Sequence, residues 1–215
     1  MSRGLVFFDL DGTLLDSKDG IHAALVATAA DLRLAPPDVE RTRTSVGDGV
    51  ENLLRRAFDG SVDLPRLHGV YDHHYQRTSV QHLRLYPGIA ELLCTLDPAR
   101  SAVVSNKPAR HCRRILEALG IEGSFAHITG GDSFAEKKPS ALPLLSLLHS
   151  MGGSAADSVL VGDGPQDIRA AKNAGMKSIA VLWGFCSAER LAPLNPDLLL
   201  ADTAELAPAL ARFRA

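Results

Sequence analysis

Two carboxylates lie one residue apart in Asp9-Leu10-Asp11-Gly12-Thr13, directly after the apolar run 5–8. On an extended chain residues i and i+2 face the same way, so Asp9 and Asp11 are expected on one side and Leu10 in the core. Two carboxylates so close at a strand end repel unless they share a cation or a proton. A bare Asp-Gly pair is more often a solvated turn. An EF-hand loop does not fit, because its glycine belongs at the sixth loop position and Gly12 is the fourth residue counted from Asp9.

A second acidic cluster, Gly162-Asp163-Gly164-Pro165-Gln166-Asp167, also follows an apolar run. Pro165 suits the first position of a helix, which puts Asp167 one turn beyond Asp163. Alone this reads equally well as a helix N-cap with an i,i+4 neighbour. Together with Asp9 it becomes a set of hard oxygen ligands from two strand ends, which Mg²⁺ prefers when waters and a phosphate oxygen complete the shell. Two more signals sit between and beside these clusters, Val104-Ser105-Asn106-Lys107 and Lys137-Lys138-Pro139-Ser140. A hydroxyl, an amide and an ammonium all donate to phosphate oxygens, and a lysine offsets charge that develops on a transferring group. Singly, Ser105-Asn106 reads as a turn and the double lysine as solvated surface. Their shared position at strand ends joins them.

The elements that must carry these residues are short apolar runs at 5–8, 102–104, 159–161 and 179–182, with a weaker one at 198–200. Helical patterns fall between the later ones, at 109–119, 141–149 and 165–173. Such alternation predicts an α/β fold with a parallel sheet covered on both faces and polar chemistry at the carboxyl ends of its strands. From about 16 to 83 no buried strand is visible, only helical patterns such as 21–32 and 50–58. The chain is therefore expected to divide into a catalytic core, 1–15 and 84–215, and an inserted helical module, 16–83, which returns at the turn Tyr86-Pro87-Gly88.

Composition limits the partners. With 215 residues and 46% hydrophobic content the chain can bury a full core. Lys plus Arg number 23 against 25 acids, for a net charge of −2 without a basic stripe, so nucleic acid is not an expected partner. The three cysteines Cys94, Cys112 and Cys186 form no CxxC pair, which fits reduced thiols and argues against structural zinc. The start of the chain is too short for a signal-peptide apolar region. No run approaches the roughly 18 apolar residues of a membrane span, and a cytoplasmic location without membrane contact is expected.

With these residues in view, the chain resembles the haloacid dehalogenase superfamily, whose four ordered motifs correspond here to Asp9-Leu10-Asp11-Gly12-Thr13, Ser105, Lys138-Pro139, and Gly162-Asp163 with Asp167. The resemblance covers essentially the whole chain, including a helical cap after the first motif. It implies a Rossmann-like core and a phospho-aspartyl mechanism with Mg²⁺ as cofactor. Asp9 would be the nucleophile and a metal ligand. Asp11 would protonate the leaving alkoxide, deprotonate the hydrolytic water and complete the metal shell through its backbone carbonyl. Asp163 would ligate the metal directly, and Asp167 would orient the metal or its water. Thr13, Ser105, Asn106 and Lys138 would hold the phosphoryl group. Asp11 needs a proton at neutral pH, which a packed acidic neighbourhood is expected to favour.

Within the superfamily the chain is similar to phosphoglycolate phosphatases, through Gly47-Asp48-Gly49-Val50-Glu51-Asn52-Leu53, Trp183-Gly184-Phe185, Asn195-Pro196-Asp197 and Glu205-Leu206. Pyrophosphatases, nucleotide and sugar-phosphate phosphatases and a hexose-phosphate mutase stay open as alternatives. A phospho-accepting receiver module is the non-enzymatic one, although such modules carry no inserted lid. The expected partner is a small phosphorylated metabolite, and the chain is expected to be a monomer or homodimer. Gly47, Asp48 and Gly49 precede a helical pattern. Their freed N–H groups suit a small anion such as a glycolate carboxylate, or they simply make a tight turn and N-cap, and Glu51 opposes the anion. His68, His73, His74 and His82 are read as structural or surface residues, Trp183 as packing, and Arg55-Arg56 as a solvated helix face.

Overall fold

The structure is a computed structural model that describes residues 4–60 and 63–213. The parts of the expected spans at 1–3, 61–62 and 214–215 lie outside the described residues. In chain order the strands are β1 (Val6–Phe8), β2 (Leu15–Asp16), β3 (Arg84–Leu85), β4 (Ser101–Val104), β5 (His127–Thr129), β6 (Val159–Gly162), β7 (Lys177–Val181) and β8 (Leu198–Leu200). The helices are α1 (Lys18–Leu32), α2 (Val39–Ser45), α3 (Val50–Phe58), α4 (Leu64–Thr78), α5 (Ile89–Thr95), α6 (Ala109–Ala118), α7 (Leu142–Met151), α8 (Pro165–Ala174), α9 (Ala188–Leu191) and α10 (Leu206–Arg212).

Six strands form one parallel sheet in the order β5-β4-β1-β6-β7-β8. The period of two along β1 sends alternate side chains to opposite faces. Val6 and Phe8 enter a core with Ile89, Leu92, Ile115, Leu116 and Leu206, contributed by α5, α6 and α10. Leu5 and Phe7 enter another with Leu144, Leu147, Ala170 and Ala171, from α7 and α8. A sheet covered on both faces reads as near-continuous apolar runs, which is why β1, β4, β6 and β7 are visible in the sequence. β5 was not foreseen. It is an edge strand of three residues ending in Thr129, too short for a period to appear.

The chain order reverses around β1: β4 and β5 build outward on one side, and β6, β7 and β8 on the other. Such a reversal leaves a crevice at the carboxyl ends of the strands. The segment after β1 leaves through β2 and returns through β3, which pair antiparallel as Leu15 with Leu85 and Asp16 with Arg84. Between them α1, α3 and α4 gather around Leu25, Leu54, Leu67, Tyr71 and Tyr75, a core separate from those of the sheet. Both ends of this helical segment therefore lie side by side, over the carboxyl end of β1.

Candidate active site

The ladder continues past β1, since Asp9 N donates to Val161 O at 2.9 Å, and this carries Asp9 to the strand end beside Asp163. Asp9, Asp163 and Asp167 are all buried, and each offers an oxygen within 4.8 Å of the others. Lys138, 1% exposed at its side chain, donates to Asp167 Oδ1 at 2.6 Å and lies 3.0 Å from Asp9 Oδ1. The contact with Asp9 is an ion pair, and among the described residues Asp9 Oδ1 is buried with no hydrogen-bond partner of its own. Asp163 Oδ2 accepts from Phe185 N at 2.7 Å, and Asp167 Oδ2 from Gly164 N at 2.9 Å.

Burial disfavours charge on this cluster, and the carboxylates repel one another. Asp163 is held well above the usual carboxylate range by burial, with Asp9 and Asp167 adding to it. Burial also pushes Asp167 up, to about 7, against the opposing pull of Lys138. For Lys138 burial works against the charge, but Asp167 and Asp9 outweigh it and hold the ammonium above its ordinary value.

Three carboxylates against one ammonium leave two negative charges uncompensated when all are ionised, and Asp9 Oδ1 lacks a hydrogen bond. A divalent cation with a preference for oxygen fits that deficit and that donor set. Asp9, Asp163 and Asp167 are the side chains that would hold it.

Asp11 lines the same cavity as Asp9 but faces a different charge. Its Oδ1 accepts from Lys107 Nζ at 2.7 Å. The expectation of an acidic neighbourhood for Asp11 is thus corrected: its nearest charge is an ammonium, because the turn after β1 carries it toward the loop after β4. That turn needs Gly12, which has φ +81°, and a Cβ there would lie 2.2 Å from Asp163 Oδ2. Thr13 Oγ1 donates to Asp163 Oδ1 at 3.4 Å, a long contact. Trp183 Nε1 donates to Thr13 O at 3.1 Å, so this tryptophan braces the first motif.

Ser105 lines the cavity and its Oγ accepts from Lys107 N at 3.2 Å. Asn106 is arranged differently from a simple phosphate ligand. Its Nδ2 donates to Lys138 O at 2.9 Å and to Gly47 O at 3.0 Å, which uses both amide hydrogens to tie the helical segment to the core. Gly49, the N-cap of α3, has φ +90°, and a Cβ there would lie 2.7 Å from Lys137 Nζ and 3.3 Å from Asn106 O. Asp48 pairs with Arg56. Gly47 and Gly49 thus lie at the cavity wall as the contact between helices and sheet. Arg56 is less free than a solvated face implies.

Several cavity residues escaped the sequence reading. Tyr75 receives a hydrogen bond from Lys107 Nζ, and Asp72 accepts from His111 Nε2 at 2.8 Å and from Arg110 at 2.6 Å. These pairs join α4 to α6 and to the loop before it across more than thirty residues of sequence, so no local spacing announces them. Lys107 itself stood in the Ser105-Asn106-Lys107 run, and its place after a strand was the signal available. His68 lines the cavity, whereas His74 pairs with Asp31 away from the cavity lining. The cavity measures about 60 Å³. A single water needs about 10–15 Å³ on this measure, so the space suits a ligand of few atoms.

Among known families, the model of the haloacid dehalogenase-like hydrolases matches residues 6–181. The phosphoglycolate phosphatase of Agrobacterium fabrum is 37% identical over 214 residues, covering 96% of this chain and 91% of that protein. That of Aquifex aeolicus is 35% identical, covering 94% of each. A crystal structure described as a predicted phosphoglycolate phosphatase from Haemophilus somnus superposes with a TM-score of 0.90 at 28% identity, over 98% of this chain and 99% of that one. CbbY from Rhodobacter sphaeroides, crystallised in complex with phosphate, superposes with a TM-score of 0.81 at 26% identity, over 96% of both chains.

Proposed function

The chain belongs to the haloacid dehalogenase-like hydrolases, and from that premise we propose that it is a Mg²⁺-dependent phosphatase acting on phosphoglycolate through a phosphorylated Asp9. The observation that carries the reading is the buried group Asp9, Asp163, Asp167 and Lys138 at the strand ends, with Asp11 on the same cavity. The substrate rests on the curated relatives, which bear that name over nearly the whole chain.

Asp9 attacks phosphorus, and the P–O bond to the alcohol breaks as the bond to the Asp9 carboxylate forms. The leaving oxygen takes its proton from Asp11, carried on the carboxylate oxygen that does not accept from Lys107. Water then attacks the phosphoryl group, Asp11 recovers a proton from it, and the Asp9–phosphorus bond breaks to give inorganic phosphate. One hard displacement is thereby divided into two easier ones. Bound Mg²⁺ supplies positive charge against the anionic phosphate. Lys138 opposes the same repulsion from the protein side, and Ser105, Thr13 and the Asn106 main chain surround the phosphoryl group. Residues 16–83 act as a cap over a core of 1–15 and 84–215, and the core carries out the transfer.

A phosphate-release panel tests this reading, comparing phosphoglycolate, pyrophosphate, nucleotides, sugar phosphates and an aryl phosphate. Phosphoglycolate with Mg²⁺ is expected to give the highest kcat/KM, and excess EDTA to abolish release. Full turnover in metal-free buffer with EDTA would overturn the metal requirement. Preference for another ester would overturn the substrate and leave the chemistry standing.

A further inference from the structure

The mechanism above gives Lys107 no task, although the fold invests heavily in placing it. Its side chain is only 9% exposed and lies on the loop between β4 and α6. The ammonium donates to Asp11 Oδ1 at 2.7 Å and to the Tyr75 hydroxyl, and lies 4.8 Å from the centre of the Tyr75 ring. Tyr75 is fixed in turn, stacked on Tyr71 with ring centres 5.4 Å apart and meeting the His111 ring edge-on at 5.0 Å. One residue from the core and one from α4 thus hold a single cation at the wall of the cavity.

The carboxylates of the cavity wall other than Asp11 are already engaged, and of its two histidines His111 pairs with Asp72 while His68 is the remaining imidazole. Asp9 and Asp163 belong to the carboxylate cluster, and Asp72 pairs with Arg110 and His111. An ammonium has three N–H donors. Asp11 and Tyr75 take two, which leaves one for a ligand in the cavity. Distance then selects the part of the ligand within reach. Asp11 works on the ester oxygen, and Lys107 is one hydrogen bond beyond Asp11. The substrate atoms it meets are therefore those on the carbon next to that oxygen. A neutral tail would leave the buried cation facing an apolar group, whereas a carboxylate at that carbon gives a charge-assisted hydrogen bond.

We propose that Lys107, oriented by Tyr75, binds the carboxylate of small phospho-carboxylic acids and selects esters whose carboxylate sits one carbon beyond the ester oxygen. The inference rests on the phosphatase reading and moves the selectivity from the Gly47-Asp48-Gly49 loop to this lysine. A lysine that only neutralised Asp11 would affect every ester alike.

The test is the ratio of kcat/KM for phosphoglycolate to that for ethyl phosphate, measured with Mg²⁺ in the wild type, Lys107→Met, Lys107→Arg and Tyr75→Phe. Lys107→Met is expected to lower the ratio about ten- to hundredfold, whatever happens to the common rate, and Tyr75→Phe to lower it about two- to tenfold. Lys107→Arg keeps most of the ratio. Calorimetric Kd values for the same two esters, measured in Asp9→Asn with and without Lys107→Met, are expected to follow the same pattern. If the wild type turns over neither ester, the phosphatase reading fails while the ratio of Kd values still decides the role of Lys107. Should Lys107→Met not fold by circular dichroism, the Tyr75→Phe ratio decides. A ratio equal to that of the wild type, in the variant that decides, overturns the proposal.

Discussion

Asp9 and Asp11 are two residues apart and line one cavity, yet they answer to different lysines, and this separation suits two different tasks. Asp9 lies with Asp163, Asp167 and Lys138, the group that would hold the cation. Asp11 pairs with Lys107 instead. Replacing Asp9 by Asn is expected to abolish turnover with the fold intact by circular dichroism, since the proposed nucleophile is gone. Asp11→Asn is expected to lose about 10²- to 10⁴-fold in kcat while still binding substrate, because only proton transfer is impaired. Stopped-assay phosphate release measures both. Residual activity of Asp9→Asn above a few per cent of wild type would rule out the phosphorylated Asp9.

At the scale of elements, the loop before α3 is held against the core by Asn106 Nδ2 to Gly47 O, with Gly49 in a left-handed conformation. A side chain at Gly49 meets strain from φ +90° before it meets any substrate, and its Cβ would crowd Lys137 Nζ and Asn106 O. Gly49→Ala is therefore expected to destabilise by about 1–3 kcal/mol. For a chain of this size that is roughly 2–12 °C in Tm. The same variant is expected to reduce kcat/KM for phosphoglycolate and ethyl phosphate by equal factors. Differential scanning fluorimetry beside the two kinetic assays checks this. A selective rise in KM for phosphoglycolate at unchanged Tm would return selectivity to the loop.

Over the whole molecule, the carboxylate cluster links stability to pH and to metal. Asp163 and Asp167 both bind protons more tightly when folded than at the ordinary value of 3.8, Asp167 titrating at about 7. The metal-free folded chain then carries more protons than the unfolded one between about pH 4 and 7, and this contribution to stability falls as pH rises through that window. Mg²⁺ reverses the trend, because it needs the ionised carboxylates and at low pH must displace their protons. At about 100 times its Kd, Mg²⁺ contributes about 2.7 kcal/mol. That is roughly 5–11 °C in Tm for this chain length. The increase in Tm on adding Mg²⁺ is expected to be clearly larger at pH 8 than at pH 5.5, by scanning fluorimetry at fixed Mg²⁺. Equal increases at both values would show that the cluster does not hold the cation.

The alternation of strands and helices, and the placing of Asp9, Ser105 and Asp163 at strand ends, could be read without coordinates. Each is a local property: strand period, apolar run and the residue that follows are covalently adjacent. The same holds for Asp167, which Pro165 and the helical repeat carry one turn past Asp163. Which cation each carboxylate faces could not be read. Lys107 meets Asp11 and Tyr75, and Lys138 meets Asp9 and Asp167, only because the sheet order and the return of α4 over the crevice bring distant segments together. The amide of Asn106, expected at a phosphoryl group, is drawn instead to two backbone carbonyls, one of which the helical segment brings to it. Spacing along the chain determines which groups arrive at the crevice. Their pairing depends on burial, where an unsatisfied donor or charge costs far more than on an exposed chain, and burial exists only once the layers have packed.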